Sequence, residues 1–329
     1  MMRRFGILLI LLLLITLLTF VIYYFQSYEV EETIINIPEG YSALQIANIL
    51  HSHDIIQSRL LFNLYVRLHR IDKRLSYGKY LFRGKLNLKK VSKILTSAKI
   101  MLRPVTIPEG LSLRKTCQIL SRSGFGSYKK FMSICTDSVF ASKLLKFPVR
   151  SLEGFLFPET YRISDEASEE YIIKIMVDEY FKQTKDIDFS KSPLDRYSSL
   201  ILASIVERES HYHNEMPLVA GVYLNRLDDN HRLQADPTVA YILDEQGKRR
   251  KKIYYKDLKI DSPYNTYKYT GLPPTPICSP GKAAIKSAVM PQKTDYYFFF
   301  ASSGGRHEFS RTYREHLRKQ NELKKQNAS

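Results

Sequence analysis

The pattern of apolar and polar positions divides the chain into three stretches. The first carries no charge: from Phe5 to Phe25 every residue is apolar or neutral. At about 1.5 Å of rise per residue, a helix over this run would span roughly 30 Å, the thickness of a bilayer's hydrocarbon core. Arg3 and Arg4 precede it and Glu29, Glu31 and Glu32 follow it. The positive-inside bias therefore predicts a cytoplasmic N-terminus (1–4), a transmembrane helix over 5–25, and everything after about residue 26 outside. A cleaved signal peptide would have a shorter apolar region and a small-x-small site. Phe25-Gln26-Ser27-Tyr28-Glu29 offers no such site, so the run reads as an uncleaved single-pass anchor.

The second stretch alternates short strand and helix periods. Ile37-Pro38-Glu39-Gly40 and Ile107-Pro108-Glu109-Gly110 each follow a β-prone segment and precede helical spacing. Each predicts a strand, a turn, and a helix opened by Ser42 or Ser112 as N-cap. A helix from Ser58 to His69, a strand from Gly78 to Phe82 and a helix from Leu88 to Ala98 follow. Residues 30–103 thus read as a small strand–helix–helix–strand (βααβ) module. The repeated Ile-Pro-Glu-Gly can equally be a recurring turn and nothing more.

In the third stretch, helices are predicted over 166–186, 196–210 and 215–227. Beyond 228 the Tyr, Pro, Gly and Asp content predicts loops and short strands, with a buried strand at 296–301 and a charged helix from Tyr313. The class is α+β. Fifty Lys+Arg against 33 Asp+Glu give a net charge of +17, a balance that suits nucleic acid, anionic lipid or an acidic polymer. Hydrophobic residues at 44% exclude a disordered chain, and 14 Gly with 14 Pro exclude a collagen-like one. Three cysteines cannot form a disulfide framework; Cys117 and Cys135 could pair in an oxidising space, leaving Cys278 over.

Chemistry concentrates at the end of the 196–210 helix. At 100° per residue Leu202, Ile205, Val206 and Glu209 share one stripe, and Glu207 sits about 200° from Glu209. The two carboxylates cannot face one pocket. Glu209 ends an apolar stripe near a helix C-terminus, and both desolvation and the macrodipole favour its protonated form. That suits a general acid, although a solvated helix-end Glu paired with a base fits the same residues. Asn225-Arg226, Leu233-Gln234-Ala235-Asp236-Pro237-Thr238 and Ser262-Pro263-Tyr264-Asn265-Thr266-Tyr267 follow within 60 residues. Tyr faces and amides suit sugar rings and acetamido groups, and ordinary turn chemistry explains the same residues. His211-x-His213 lacks a supporting ligand set, so no metal is predicted.

Taken in order, these motifs resemble the endolytic murein transglycosylase family (MltG, or YceG-like). The matching pieces are Leu152-Glu153-Gly154-Phe155-Leu156-Phe157-Pro158-Glu159-Thr160-Tyr161, Ala203-Ser204-Ile205-Val206-Glu207-Arg208-Glu209 and Leu233 to Val239. Tyr264 to Tyr267, Thr270-Gly271-Leu272-Pro273-Pro274, Pro280-Gly281 and Gly305-Arg306-His307-Glu308-Phe309 extend the match over about residues 30–320. Cys278 departs from the small residue or Asn expected there. The resemblance implies a LysM-like module over 26–103 and a catalytic domain over 104–329.

The catalytic acid of the family falls by motif position on Glu209, and Glu209-Ser210 looks like the Glu-Ser pair of lysozyme-like lytic transglycosylases. The implied reaction cleaves the MurNAc-β-1,4-GlcNAc bond inside glycan strands and leaves 1,6-anhydroMurNAc ends, without a cofactor. Asn265, Gln234 and Tyr267 are the candidates for gripping the sugar. Ser210, Asn225 and His307 are further candidates for substrate contact. Asp236 reads as a turn-former, and Glu153 and Glu159 as structural. The implied partners are peptidoglycan strands, membrane lipid around the anchor and, beside them, peptidoglycan synthases, with termination of nascent strands as the role. The competing reading is a membrane-anchored peptidoglycan-binding scaffold without catalysis. An exported chain lacking a basic-aromatic recognition motif excludes nucleic acid as a partner.

Overall fold

The computed structural model describes residues 26–96, 102–248, 252–302 and 304–326. The expected anchor over 5–25 lies outside the described residues. Among the described residues no helix is long and apolar enough to cross a membrane. They form a mixed α+β structure with twelve α-helices and three two-stranded sheets. The chain divides into two compact units. The first takes residues up to Arg103 together with Ile163–Ala167, and the second takes Pro104–Arg162 and the chain from Ser168 onward.

Unit one is built on β1 (Tyr28–Ile37), which pairs antiparallel with β2 (Gly78–Leu86) with Ile35 opposite Tyr80 and an irregularity between Val30 and Thr33. Between them run α1 (Ala43–Ser52) and α2 (Arg59–Leu68), and α3 (Leu88–Thr96) follows β2. Ser42 and Gln45 form a reciprocal capping box at the start of α1, satisfying two otherwise orphaned amides. Ser58 caps α2 in the simpler way. Ile35, Ile37, Leu50, Phe62, Val66, Phe82, Val91 and Leu95 interlock as the core. On α2, Phe62, Tyr65 and Val66 face that core, while Leu60, Leu64 and Leu68 face away and are exposed.

β3 (Leu102–Thr106) and β4 (Thr160–Ser164) make the second sheet. Unit two contains α4 (Leu113–Arg122), α5 (Tyr128–Thr136), α6 (Ser138–Leu145), α7 (Glu169–Gln183), α8 (Arg196–Glu209), α9 (Met216–Asp228), α10 (Asp236–Glu245) and α11 (Lys282–Val289). The antiparallel pair β5 (Phe298–Ala301) and β6 (His307–Ser310) and the C-terminal α12 (Tyr313–Gln326) complete it. α8 is the central element. Every residue from Ser199 to Val206 is buried, and α9, α10 and α11 pack on this helix. A helix apolar on all sides needs such neighbours.

Several expectations are corrected. The region beyond 228 is not loops and short strands alone, for it holds α10 and α11. Pro237 does not break α10 but sits in its first turn, where a missing N–H costs nothing. Val239, Ile242 and Leu243 then bury at helical spacing. The strand expected over 296–301 begins at Phe298 and is only half-buried. Ser112 holds the N-cap position of α4 without capping it; the Glu153 carboxylate accepts from Leu113 N at 2.9 Å instead.

Candidate active site

Asp195 fixes the start of α8 by accepting from the amides of Tyr197 and Ser198. The buried middle of the helix then sets its register, and the last turn emerges from the core with Glu207, Arg208 and Glu209 half-buried. The Tyr223 hydroxyl, on the neighbouring α9, donates to Glu209 Oε1 at 2.5 Å. Burial pushes the Glu209 carboxyl up to about 7. The Tyr223 hydrogen bond opposes that rise, the negative charge of Asp236 adds to it, and the Arg226 and Arg208 guanidinium groups oppose it. Burial, then the Glu209 charge, holds the Tyr223 phenol well above its ordinary value, so it stays a donor across the working pH range. A carboxyl half-protonated near neutrality can both give and take a proton.

The surrounding loops are tied to one another. Gln234 N donates to Thr266 O and Ala235 N to Thr266 Oγ1, each at 3.0 Å, and the Thr238 and Thr266 hydroxyls lie 2.9 Å apart. These bonds carry Tyr267 to Asp236, and its hydroxyl donates to Asp236 Oδ1 at 2.6 Å. Gln234 has an exposed side chain and a φ of 49°, a left-handed conformation uncommon for a residue with a Cβ. Arg226 is buried; its Nε donates to Tyr297 O at 2.7 Å, its Nη1 donates to Leu233 O, and its guanidinium lies 5.4 Å from the centre of the Phe298 ring. Glu209, Tyr223, Arg226, Asp236 and Tyr267 thus form one electrostatically linked group.

The remaining sequence candidates are placed differently. Asn265 is fully buried; its Nδ2 donates to Leu258 O at 3.0 Å and to Ile260 O at 2.7 Å, and its Oδ1 accepts from Tyr267 N at 3.0 Å. With both amide hydrogens used, Asn265 braces the Tyr267 loop from inside and presents no group to a ligand. Asn225 lies two residues from Tyr223, about 200° around α9. Its Nδ2 donates to Thr294 O and Tyr296 O, both at 2.9 Å, so its amide is spent on holding the 294–296 segment. The close crossing of that chain over α9 at Gly221 leaves no room for a side chain, since a Cβ there would stand 2.2 Å from Gln292 O. The Ser210 hydroxyl is buried and closes the turn after α8, donating to Tyr212 O at 3.1 Å and accepting from Tyr212 N at 3.2 Å. His307 Nδ1 lies 2.9 Å from Glu215 Oε2. Its ring packs edge-on to Phe299 (centroids 5.2 Å apart), which packs edge-on to Tyr223 (5.6 Å), so Phe299 links His307 to the Glu209 group.

Glu207 points to the opposite side of α8. Its Oε2 accepts from Gly281 N at 3.0 Å, and burial, with the nearby Glu109 adding, pushes its carboxyl up to about 7. That face also carries Arg208 Nη1 to Gly110 O at 3.4 Å and the bridge between Leu111 and Ser279. Glu153 is buried beneath α4, accepts from Leu113 N and from the Tyr241 hydroxyl (3.2 Å), and burial pushes it up to about 8. Cys117, Cys135 and Cys278 are buried free thiols. Among the described residues no group of three or more His, Cys, Asp or Glu side chains is placed to hold a metal ion.

Sequence reasoning did not single out Tyr223, named Arg226 only within the Asn225-Arg226 pair without a role, and assigned Asp236 to a turn. The available signal was polar atoms on the buried face of an otherwise apolar helix. The phenol in Val222-Tyr223-Leu224 and the guanidinium at 226 each require a partner once buried.

The YceG-like family model matches residues 35–322. The chain is 35% identical over 299 residues to the endolytic murein transglycosylase of Bacillus subtilis (strain 168), covering 86% of this chain and 82% of that protein. It is 29% identical over 305 residues to the endolytic murein transglycosylase of Streptococcus pneumoniae serotype 2, covering 81% of this chain and 54% of that protein. The chain therefore spans about half the length of the streptococcal relative. A crystal structure of a yceG-like protein from Listeria monocytogenes superposes with a TM-score of 0.60 at 31% identity, over 88% of this chain and 98% of that one. With the match running from unit one through Glu209 and its loops to α12, the chain belongs to the YceG-like family.

Proposed function

We propose that this chain is an endolytic lytic transglycosylase of peptidoglycan and that Glu209 carries the reaction. The supporting observation is the pairing of the Glu209 carboxyl with the Tyr223 hydroxyl, within the field of Asp236 on the exposed loop that also carries Gln234, with burial raising that carboxyl to about 7. Glu209 gives its proton to the GlcNAc O4 as the bond from MurNAc C1 breaks and positive charge develops at C1. The Glu209 carboxylate then takes the proton of the MurNAc C6 hydroxyl while O6 bonds to C1. The product is a 1,6-anhydroMurNAc end, no water is consumed, and Glu209 returns protonated. The nucleophile belongs to the substrate, so no second carboxylate has to activate water.

In this reading Gln234 and Tyr267 grip the sugar, and Asn265 holds Tyr267 in place. Ser210 shapes the turn beside Glu209, Asn225 and His307 position the 294–309 segment, and Asp236 adds to the burial that raises the Glu209 carboxyl. The 26–103 region is a LysM-like glycan-binding module ahead of a catalytic domain over 104–329. Residues 5–25 anchor the protein in the cytoplasmic membrane with both units outside, beside peptidoglycan synthases whose nascent strands it terminates.

The proximity of Asp236 to Glu209 also suits a hydrolase with two carboxyl groups, and the product separates the two reactions. Incubation with sacculi followed by mass spectrometry should yield muropeptides with 1,6-anhydro ends. Reducing ends would identify a hydrolase, and no release would leave a binding scaffold.

A further inference from the structure

Unit one leaves one helix face uncovered. On α2, Leu60 is 81% exposed, Leu64 44% and Leu68 61%. Spaced four residues apart, the three fall within roughly 80° of arc and make one apolar ridge. Single exposed leucines are common on folded proteins, whereas a contiguous ridge marks an interaction surface. Five exposed cations flank it within residues 59–74 (Arg59, Arg67, Arg70, Lys73 and Arg74), against the single acid Asp72. An apolar ridge bordered by arginines is the pattern of a helix that lies in the headgroup layer of an anionic membrane.

The chain's path brings this helix to such a surface. The uncharged run ends at Phe25 and β1 begins at Tyr28, an interval of at most about 10 Å. The Tyr28 hydroxyl donates to the carbonyl of Ile55, in the loop that leads through Ser58 into α2. Tyr28, at most about 10 Å of chain beyond the apolar run, is thus one side-chain hydrogen bond away from the approach to α2. Tyr28 itself is packed against the core of unit one, which fixes that geometry.

We propose that Leu60, Leu64 and Leu68, with Arg59, Arg67 and Arg70, form a surface that seats in the anionic phospholipid headgroup layer from which the chain emerges. The inference rests on the reading of 5–25 as an anchor. It adds a second attachment, which holds unit one against the bilayer.

The chain contains no Trp, so a single introduced Trp reports without background. Full-length Leu64→Trp is reconstituted in phosphatidylcholine vesicles with and without phosphatidylglycerol and probed with headgroup-proximal doxyl lipid. Val139→Trp, at an apolar position 77% exposed on α6, controls for the affinity of any exposed Trp for interfaces. The expected result is blue-shifted, doxyl-quenched emission from Leu64→Trp in phosphatidylglycerol vesicles, with Val139→Trp unquenched. That quenching should fall in 1 M salt, where the Debye length is about 3 Å, and on Arg67→Glu with Arg70→Glu. Quenching of Leu64→Trp no stronger than that of Val139→Trp overturns the proposal. So does a blue shift without doxyl quenching, which would mean that residues 5–25 or a second copy cover the ridge. Retention on the vesicles after an alkaline carbonate wash reads the anchor separately. Retention with Leu64→Trp unquenched removes the docking surface alone, and release removes the anchor reading and the docking with it.

Discussion

Glu207 and Glu209 stand two residues apart on one helix, and burial pushes both carboxyls up to about 7. Their neighbours differ. Glu207 accepts a backbone amide from Gly281 and is packed among the turns at 109–111 and 279–281. Glu209 accepts from the hydroxyl of Tyr223, lies in the field of Asp236, Arg226 and Arg208, and borders the exposed loop of Gln234 and Asp236. A raised carboxyl is therefore not by itself a sign of catalysis. The distinguishing features are a side-chain hydroxyl partner and a neighbouring exposed loop that carries Gln234 and Asp236.

The strongest way to break this comparison is substitution at Glu209. Glu209→Gln keeps the shape and loses the proton, and anhydromuropeptide release from sacculi should drop by about 10²- to 10⁴-fold, the usual contribution of general acid–base catalysis. Next in size is Tyr223→Phe. A hydrogen bond to a charged group contributes about 1.5–3 kcal/mol, so a loss of about tenfold or more in rate is expected. The bond also stabilises the Glu209 carboxylate, so removing it should move the alkaline limb of the pH–rate profile upward. An unchanged limb would show that Tyr223 only packs.

Glu153 sharpens the comparison through stability. Its carboxyl is raised to about 8 in the folded chain, against an ordinary value of about 4.3 unfolded. The folded state therefore binds its proton more tightly, and that contribution to stability is present below the unfolded value and is lost as pH rises through 8. The wild-type unfolding free energy should fall across that window by up to about 1.4 kcal/mol per pH unit, and the Tm with it. Glu153→Gln, which can still accept from Leu113 N, should flatten the slope and leave cleavage at pH 6 near wild type. Glu207→Gln should have the smallest effect on cleavage, since its oxygen can still accept from Gly281 N.

Much of this is legible in the sequence. The stripe Leu202, Ile205, Val206, Glu209 places Glu207 and Glu209 on opposite sides of α8 by helical geometry alone, and the structure keeps them there. The order of elements through unit one follows from periods of 2 and 3.6 and from Ser caps. What remained hidden depended on partners distant in sequence. Ser112 occupies a cap position, but Glu153, 40 residues from Leu113, makes the bond. Asn265 carries the amide expected of a sugar ligand, yet the carbonyls of Leu258 and Ile260 consume it. Asp236 opens α10 as a turn-former would, and Tyr267, 31 residues away, ties it to the Glu209 group. α10 itself was obscured because Pro237 signals a break everywhere except in a helix's first turn.

The most direct test of the central claim is the pH–rate profile of Glu207→Gln for release of 1,6-anhydromuropeptides from sacculi. Both carboxyls lie near 7, so the wild-type profile cannot tell them apart. If Glu209 supplies the proton, the variant should keep an alkaline limb near pH 7, with activity falling as pH rises through it. A limb that disappears or moves when Glu207 is replaced would contradict the assignment and transfer the proton to the other carboxyl.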